Sequence, residues 1–237
     1  MDEIRWGLGD VVYGLLVYVL GGLGAGLFLI VIGAIDLQTG DLGELGLGSL
    51  FVLITSGWVG LGGWPVLATY VKGRRSLALD FGFAIEPVDV GWGIGAGVAA
   101  LVFSIVANLV WIAVSGGSAP DNTEFLPTDD HSVVSVLVIF GLVAVGTPIV
   151  EELFFRGLFL RSAARRLGTP LGVVVSSLVF GLLHFQGGLA SGLFIVVVTA
   201  SYGALFAVLA VWSRRLGPSI VAHALVNGVG VALTMFT

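Results

Sequence analysis

The chain has 237 residues, 57% of them hydrophobic and 11% charged, with a mean hydropathy of +1.08 and a formal net charge of −5. A soluble domain carries about 25% charged residues, so this chain cannot cover itself in water, and a polytopic membrane protein is the class that remains. The absence of cysteine excludes a disulfide framework, thiolate zinc ligation and a cysteine nucleophile. Basic residues occur only as short clusters between apolar runs, so nothing points to nucleic acid as a partner.

A helix needs about 20 apolar residues to cross a hydrocarbon core of ~30 Å. Runs at 8–35, 49–71, 90–115, 132–160, 170–186, 189–212 and 218–236 meet that need, with 170–186 the short one. They predict an all-α membrane bundle of about seven transmembrane helices in a single domain over 1–237. The opening MDEIRWGLGD lacks the basic region of a secretory signal, so the first run reads as a span. Glycine pairs at Gly22/Gly26 and Gly93/Gly97 have the GxxxG spacing of close helix packing.

The connections alternate in charge. Asp36, Asp41 and Glu44 follow the first run; Lys72, Arg74 and Arg75 follow the second, before Asp80, Glu86 and Asp89. The connection 116–131 is acidic, with Asp121, Glu124, Asp129 and Asp130, and it also holds His131, to which no role is assigned. Arg161, Arg165 and Arg166 follow the fourth run, and Arg214 and Arg215 the sixth. All basic clusters thus fall on one side, which the positive-inside rule makes cytoplasmic, with the N-terminus inside and the C-terminus outside. Nine arginines against one lysine, in an acidic chain, fit a prokaryotic cell membrane.

As one helix, 132–167 would run about 54 Å, well beyond the core. Pro148 is the place for it to bend, and it frees a backbone carbonyl that protein or water must satisfy.

The chemistry concentrates in 132–236. An ionised side chain at the bilayer centre costs about 2.5–3.5 kcal/mol on insertion scales, so Glu151, Glu152 and Arg156 in an apolar run need a reason. Glu152 and Arg156 are spaced i, i+4 and meet on one helix face, while Glu151 points about 100° away. One carboxylate is therefore neutralised and the other is free to act as a base. A purely structural ion pair is the rival reading, but it leaves the second glutamate unexplained. Phe180 and His184 share the i, i+4 spacing, as do His223 and Asn227.

Two uses of these groups stay open. Glu151 and His184 can hold and deprotonate a water that attacks a peptide carbonyl, with His223 and Asn227 donating to the oxyanion; this use needs no cofactor. Alternatively Glu151, His184 and His223 ligate zinc with one open position, although the HExxH zinc helix is absent.

At these residues the chain resembles the CAAX-protease and bacteriocin-processing family of intramembrane endopeptidases, also called type II CAAX prenyl proteases. The motifs read EELFFR from Glu151 to Arg156, FGLLH from Phe180 to His184, and HALVN from His223 to Asn227, in the family's order. The resemblance covers about 151–227, and residues 1–131 carry no matching motif. It implies Glu151 as general base with His184, oxyanion stabilisation by His223 and Asn227, and support from Glu152, Arg156 and Phe180. It leaves open metal dependence and the substrate, which in this family ranges from prenylated CAAX proteins to bacteriocin leader peptides.

The expected function is hydrolysis of membrane-associated peptides within the membrane or at its cytoplasmic half, with lipid and substrate as partners. Counting from the cytoplasmic ends places Glu151 about 15 Å deep and His223 about one turn shallower than its companions. The rival is a non-enzymatic membrane protein, either an ion or proton pathway or an immunity factor. A pathway calls for ionisable groups at graded depths, whereas here they cluster.

Overall fold

A computed structural model describes residues 4–35, 46–120, 122–123, 126–127 and 131–236. The acidic residues Asp36, Asp41, Glu44, Asp121, Glu124, Asp129 and Asp130 lie outside the described residues. Within the described residues the chain is all helix: α1 Leu8–Val31, α2 Leu47–Lys72, α3 Leu77–Phe81, α4 Pro87–Ser115, α5 Val133–Leu167, α6 Thr169–Leu182, α7 Leu189–Ser213 and α8 Gly217–Phe236.

Six of these helices are long and apolar enough to cross a membrane. The protein is an integral membrane protein, and its large apolar side chains face outward accordingly: Leu20, Leu23 and Val31 are all well exposed. The expected span at 170–186 is α6, whose 14 residues reach only about 21 Å.

Glycine decides which helices touch. A Cβ on Gly93 would stand 2.6 Å from Val221 Cγ1, and one on Gly97 2.8 Å from Leu225 Cδ2, so α4 and α8 meet only because both are glycine. The other pair, Gly22 and Gly26, has nothing within 4 Å among the described residues, so the expected contact at those two glycines is not seen there. Spacing alone could not separate the pairs, because both sit in equally apolar runs. Between α5 and α6 the chain reverses at Gly168, whose φ of +83° suits glycine.

Helix α5 holds the main surprise. Two π-helical turns, Phe140–Gly146 and Leu153–Phe159, flank Pro148 within one continuous helix. A wider turn absorbs the missing N–H of proline without ending the helix.

Helix α5 runs antiparallel to the chain entering α8. Glu152 meets His223, and Arg161 Nη2 donates to the Arg214 carbonyl at 3.2 Å, each pair nine residues from the other along both strands of chain. The last six residues of α5 therefore project about 9 Å past Arg214. Arg161 is level with Arg214 while α8 begins only at Gly217, about 4.5 Å further in, so a count from the start of α8 makes His223 look too shallow. On the arginine side three buried acids hold the ends together: Asp10 with Lys72 at 2.7 Å, Asp80 with Arg74 at 2.7 Å, and Asp89 with Arg215 at 2.8 Å.

Candidate active site

The interior of the bundle is lined by aromatic side chains, with Phe154, Phe155, Phe180 and Phe206 all buried. Into this apolar lining α5 places Glu152 and Arg156, 0% and 2% exposed, with Arg156 Nη1 2.9 Å from Glu152 Oε1. The i, i+4 pairing expected from the sequence is present. Arg156 also donates from Nη2 to the Gly203 carbonyl at 3.1 Å, and its guanidinium stands 4.5 Å from the Phe180 ring centre. Such cation–π contact is worth ~2 kcal/mol when desolvated, and it helps an arginine remain here.

His223 joins α8 to this pair. Its Nδ1 lies 2.9 Å from Glu152 Oε1, and its Nε2 lies 3.6 Å from Glu151 Oε2, beyond hydrogen-bond reach. The ring is stacked on Phe206 at 5.2 Å. One imidazole thus faces both glutamates, an arrangement that spacing along the chain does not reveal. Among the described residues Arg156 is paired with Glu152 and not with Glu151, whose buried Oε2 has no hydrogen-bond partner there.

His184 stands at the end of α6, its Nδ1 2.8 Å from the Phe180 carbonyl oxygen. A carbonyl can only accept, so Nδ1 carries the proton and Nε2 keeps its lone pair. Phe180 therefore fixes the tautomer through its main chain and the ring position through a contact of 4.7 Å.

Asn227 has a different neighbour. Its Nδ2 donates to the Val143 carbonyl at 3.0 Å. In the π-helical turn that carbonyl would look five residues ahead, to residue 148, which is proline and has no N–H to offer. Asn227 thus satisfies the acceptor that Pro148 orphans.

A cavity of about 180 Å³ is lined by Tyr18, Leu61, Asn122, Glu151, Phe155, Leu183, His184, Phe185 and Gln186. It brings together Glu151 and His184, while His223 and Asn227 are not among its lining residues. It extends to Asn122, in the connection opposite the arginine clusters. The sequence reading did not single out Tyr18, Leu61, Asn122 or Gln186, because each looks ordinary where it stands.

Among the described residues, no group of three or more His, Asp or Glu side chains is placed to hold a metal ion. In the trio Glu151, His184 and His223, the imidazole of His223 turns both ring nitrogens toward carboxylates. Among the described residues that trio is not gathered into a three-ligand centre.

Residues 133–229 match the family model described as type II CAAX prenyl endopeptidase Rce1-like, a match that contains all three motifs. The match agrees with the resemblance read from those motifs. Neither the curated proteins nor the solved structures gave a match.

Proposed function

We propose that this protein is a CAAX-type intramembrane endopeptidase that hydrolyses membrane-associated peptides through water activated by Glu151 and His184. The observation that carries this reading is the cavity they share, with the Glu151 Oε2 atom unpartnered beside it. A buried carboxylate oxygen without a protein donor favours a water molecule, and a cavity of this size has room for one. His184 offers Nε2 as a second acceptor, so the water gives its two protons to two bases and turns a lone pair toward the substrate.

The neighbouring groups divide the labour. Glu152 and Arg156 form a neutral pair that keeps the arginine's charge from being fully available to Glu151. His223, anchored on Glu152, limits where the Glu151 carboxylate can swing. Attack of the water on the peptide carbonyl would pass its proton to Glu151, which would then protonate the departing amine. No cofactor is needed for these steps.

Substrates would be peptides held at the membrane, either prenylated with a CAAX-like end or carrying a leader segment, with lipid as the other partner. The charge pattern supports an orientation in a prokaryotic cell membrane with the N-terminus cytoplasmic and the C-terminus outside.

The test uses the full chain purified in detergent with a farnesylated CAAX peptide, its unprenylated counterpart and a leader-type peptide. Cleavage by the unaltered chain and its loss in Glu151→Gln are expected. No cleavage of any of them, or cleavage that survives Glu151→Gln, would overturn the reading.

A further inference from the structure

A charge drawn out of water keeps its place where an opposite charge or good acceptors meet it. On the arginine side the described acids are already engaged: Asp10 by Lys72, Asp80 by Arg74, and Asp89 by Arg215, which also reaches Glu86 at 3.2 Å. Among the described residues, Arg161 and Arg165, one turn apart on α5, have no carboxylate within ion-pair distance.

Neither is a loose side chain. Arg161 is half-buried against Gly82, where a Cβ would collide with its Nη2 atom and where a φ of +68° also suits glycine. Its Nη2 donates to the Arg214 carbonyl at 3.2 Å, and its buried Nε has no acceptor among the described residues. The charge that acts on it there is another cation, Arg74. Arg165 is exposed but lies over the Trp6 ring at 3.9 Å and donates from Nη2 to the Trp6 carbonyl at 2.6 Å. Trp6 in turn packs on Phe81 at 4.8 Å, so both guanidinium groups are fastened around the Phe81–Gly82 corner that ends α3. Asp80 acts on Arg165 from beyond ion-pair distance, but its oxygens are engaged by the Arg74 Nε at 2.7 Å and main-chain N–H at 3.0 Å.

Two planar forks held in place without an anion suit a phosphate, whose oxygens a guanidinium binds in pairs. The surroundings indicate which phosphate. Leu79 and Ile85, 61% and 57% exposed, flank the same corner. The corner also lies near the end of the spanning helix α5, on the side that the charge pattern supports as cytoplasmic, where lipid headgroups are anionic. A free ion gains nothing from apolar neighbours, whereas a diacyl lipid covers them with its chains.

We propose that the Phe81–Gly82 corner binds the headgroup phosphate of an anionic phospholipid from the cytoplasmic leaflet, with Arg161 and Arg165 as its guanidinium ligands. The lipid supplies the counter-charge that Arg161 does not find in the chain. It also ties together the start of α1, the end of α3 and the end of α5, where Trp6, Phe81 and Arg165 already meet. This assignment is independent of the endopeptidase reading, since no residue of that cavity takes part.

In the test, the full chain in detergent is titrated with dioleoyl phosphatidylglycerol or dioleoyl phosphatidylcholine, and bound lipid is measured by native mass spectrometry. The unaltered chain is expected to bind phosphatidylglycerol more tightly by about tenfold or more. Arg161→Gln and Arg165→Gln are each expected to weaken phosphatidylglycerol by about fivefold and to leave phosphatidylcholine unchanged. Arg166→Gln, at an exposed arginine next in the chain, is expected to leave both lipids nearly unchanged. Inorganic phosphate in excess is expected to leave the bound lipid in place. Should Arg161→Gln fail to fold, Arg165→Gln decides alone, with Arg165→Lys recovering part of the affinity. Equal binding of the two lipids, an equal loss in Arg166→Gln, or displacement of the lipid by inorganic phosphate would overturn the proposal.

Discussion

The amide of Asn227 on α8 donates to the carbonyl of Val143 on α5 at 3.0 Å, five residues before Pro148. One helix thus completes the hydrogen bonding of another at the point where proline interrupts it. In a bilayer no solvent stands ready to do the same.

Asn227→Ala should leave that carbonyl unsatisfied and destabilise the fold by about 1–3 kcal/mol. Asn227→Ala combined with Pro148→Ala should recover part of the loss, because the restored N–H can take the acceptor. Thermal unfolding in detergent of the two single variants and the double variant measures this coupling. Strict additivity would show that the two residues act independently.

Arg156→Leu should be the most damaging change in the ion pair, since it strands Glu152 without its cation in an apolar interior. Breaking a buried pair from one side costs about 3–5 kcal/mol. Glu152→Gln should cost less, because Arg156 keeps the Gly203 carbonyl and the faces of Phe180 and Phe206. Equal losses of thermal midpoint in both variants would contradict this order.

Glu151→Gln should abolish cleavage, lowering kcat by at least about 10²–10⁴, while leaving the thermal midpoint unchanged or higher. The reason is the orphaned oxygen of Glu151, a buried polar atom that in the proposed function serves chemistry rather than the fold. A large fall in stability would recast Glu151 as a structural residue.

The glycines make a paired prediction. Gly60→Ala should destabilise by about 1–3 kcal/mol through overpacking against α1. Gly22→Ala, with nothing within 4 Å, should be neutral or slightly favourable, because alanine is the better helix former. Unfolding midpoints of both variants in one detergent decide it.

Treatment with a zinc chelator should leave cleavage intact if water is activated by Glu151 and His184 alone. Metal analysis of the purified chain provides the cross-check. Loss of activity on chelation, restored by zinc, would return the mechanism to the zinc-dependent alternative.

Local periodicity carried the sequence reading a long way. The contact of Glu152 with Arg156, and of Phe180 with His184, follows from four-residue spacing on a helix, and the helical class follows from composition. What stayed hidden depends on which helices lie side by side. Nothing near His223 announces that it faces Glu152, and nothing near Tyr18 announces a cavity. Asn227 shows the same limit from another angle. Pro148 predicted that some carbonyl would need a partner, but the widened turn that selects Val143 has no signature in the residue pattern.

The short α6 has one more consequence. Its roughly 21 Å falls about 9 Å short of the hydrocarbon thickness, so hydrophobic mismatch concentrates at the end that carries His184 and Gln186. A bilayer meeting this flank has to thin or to dimple inward and admit water. Lipid tails shield a scissile bond poorly at such a dent. A peptide anchored in the leaflet could be drawn down there without its backbone ever crossing intact hydrocarbon.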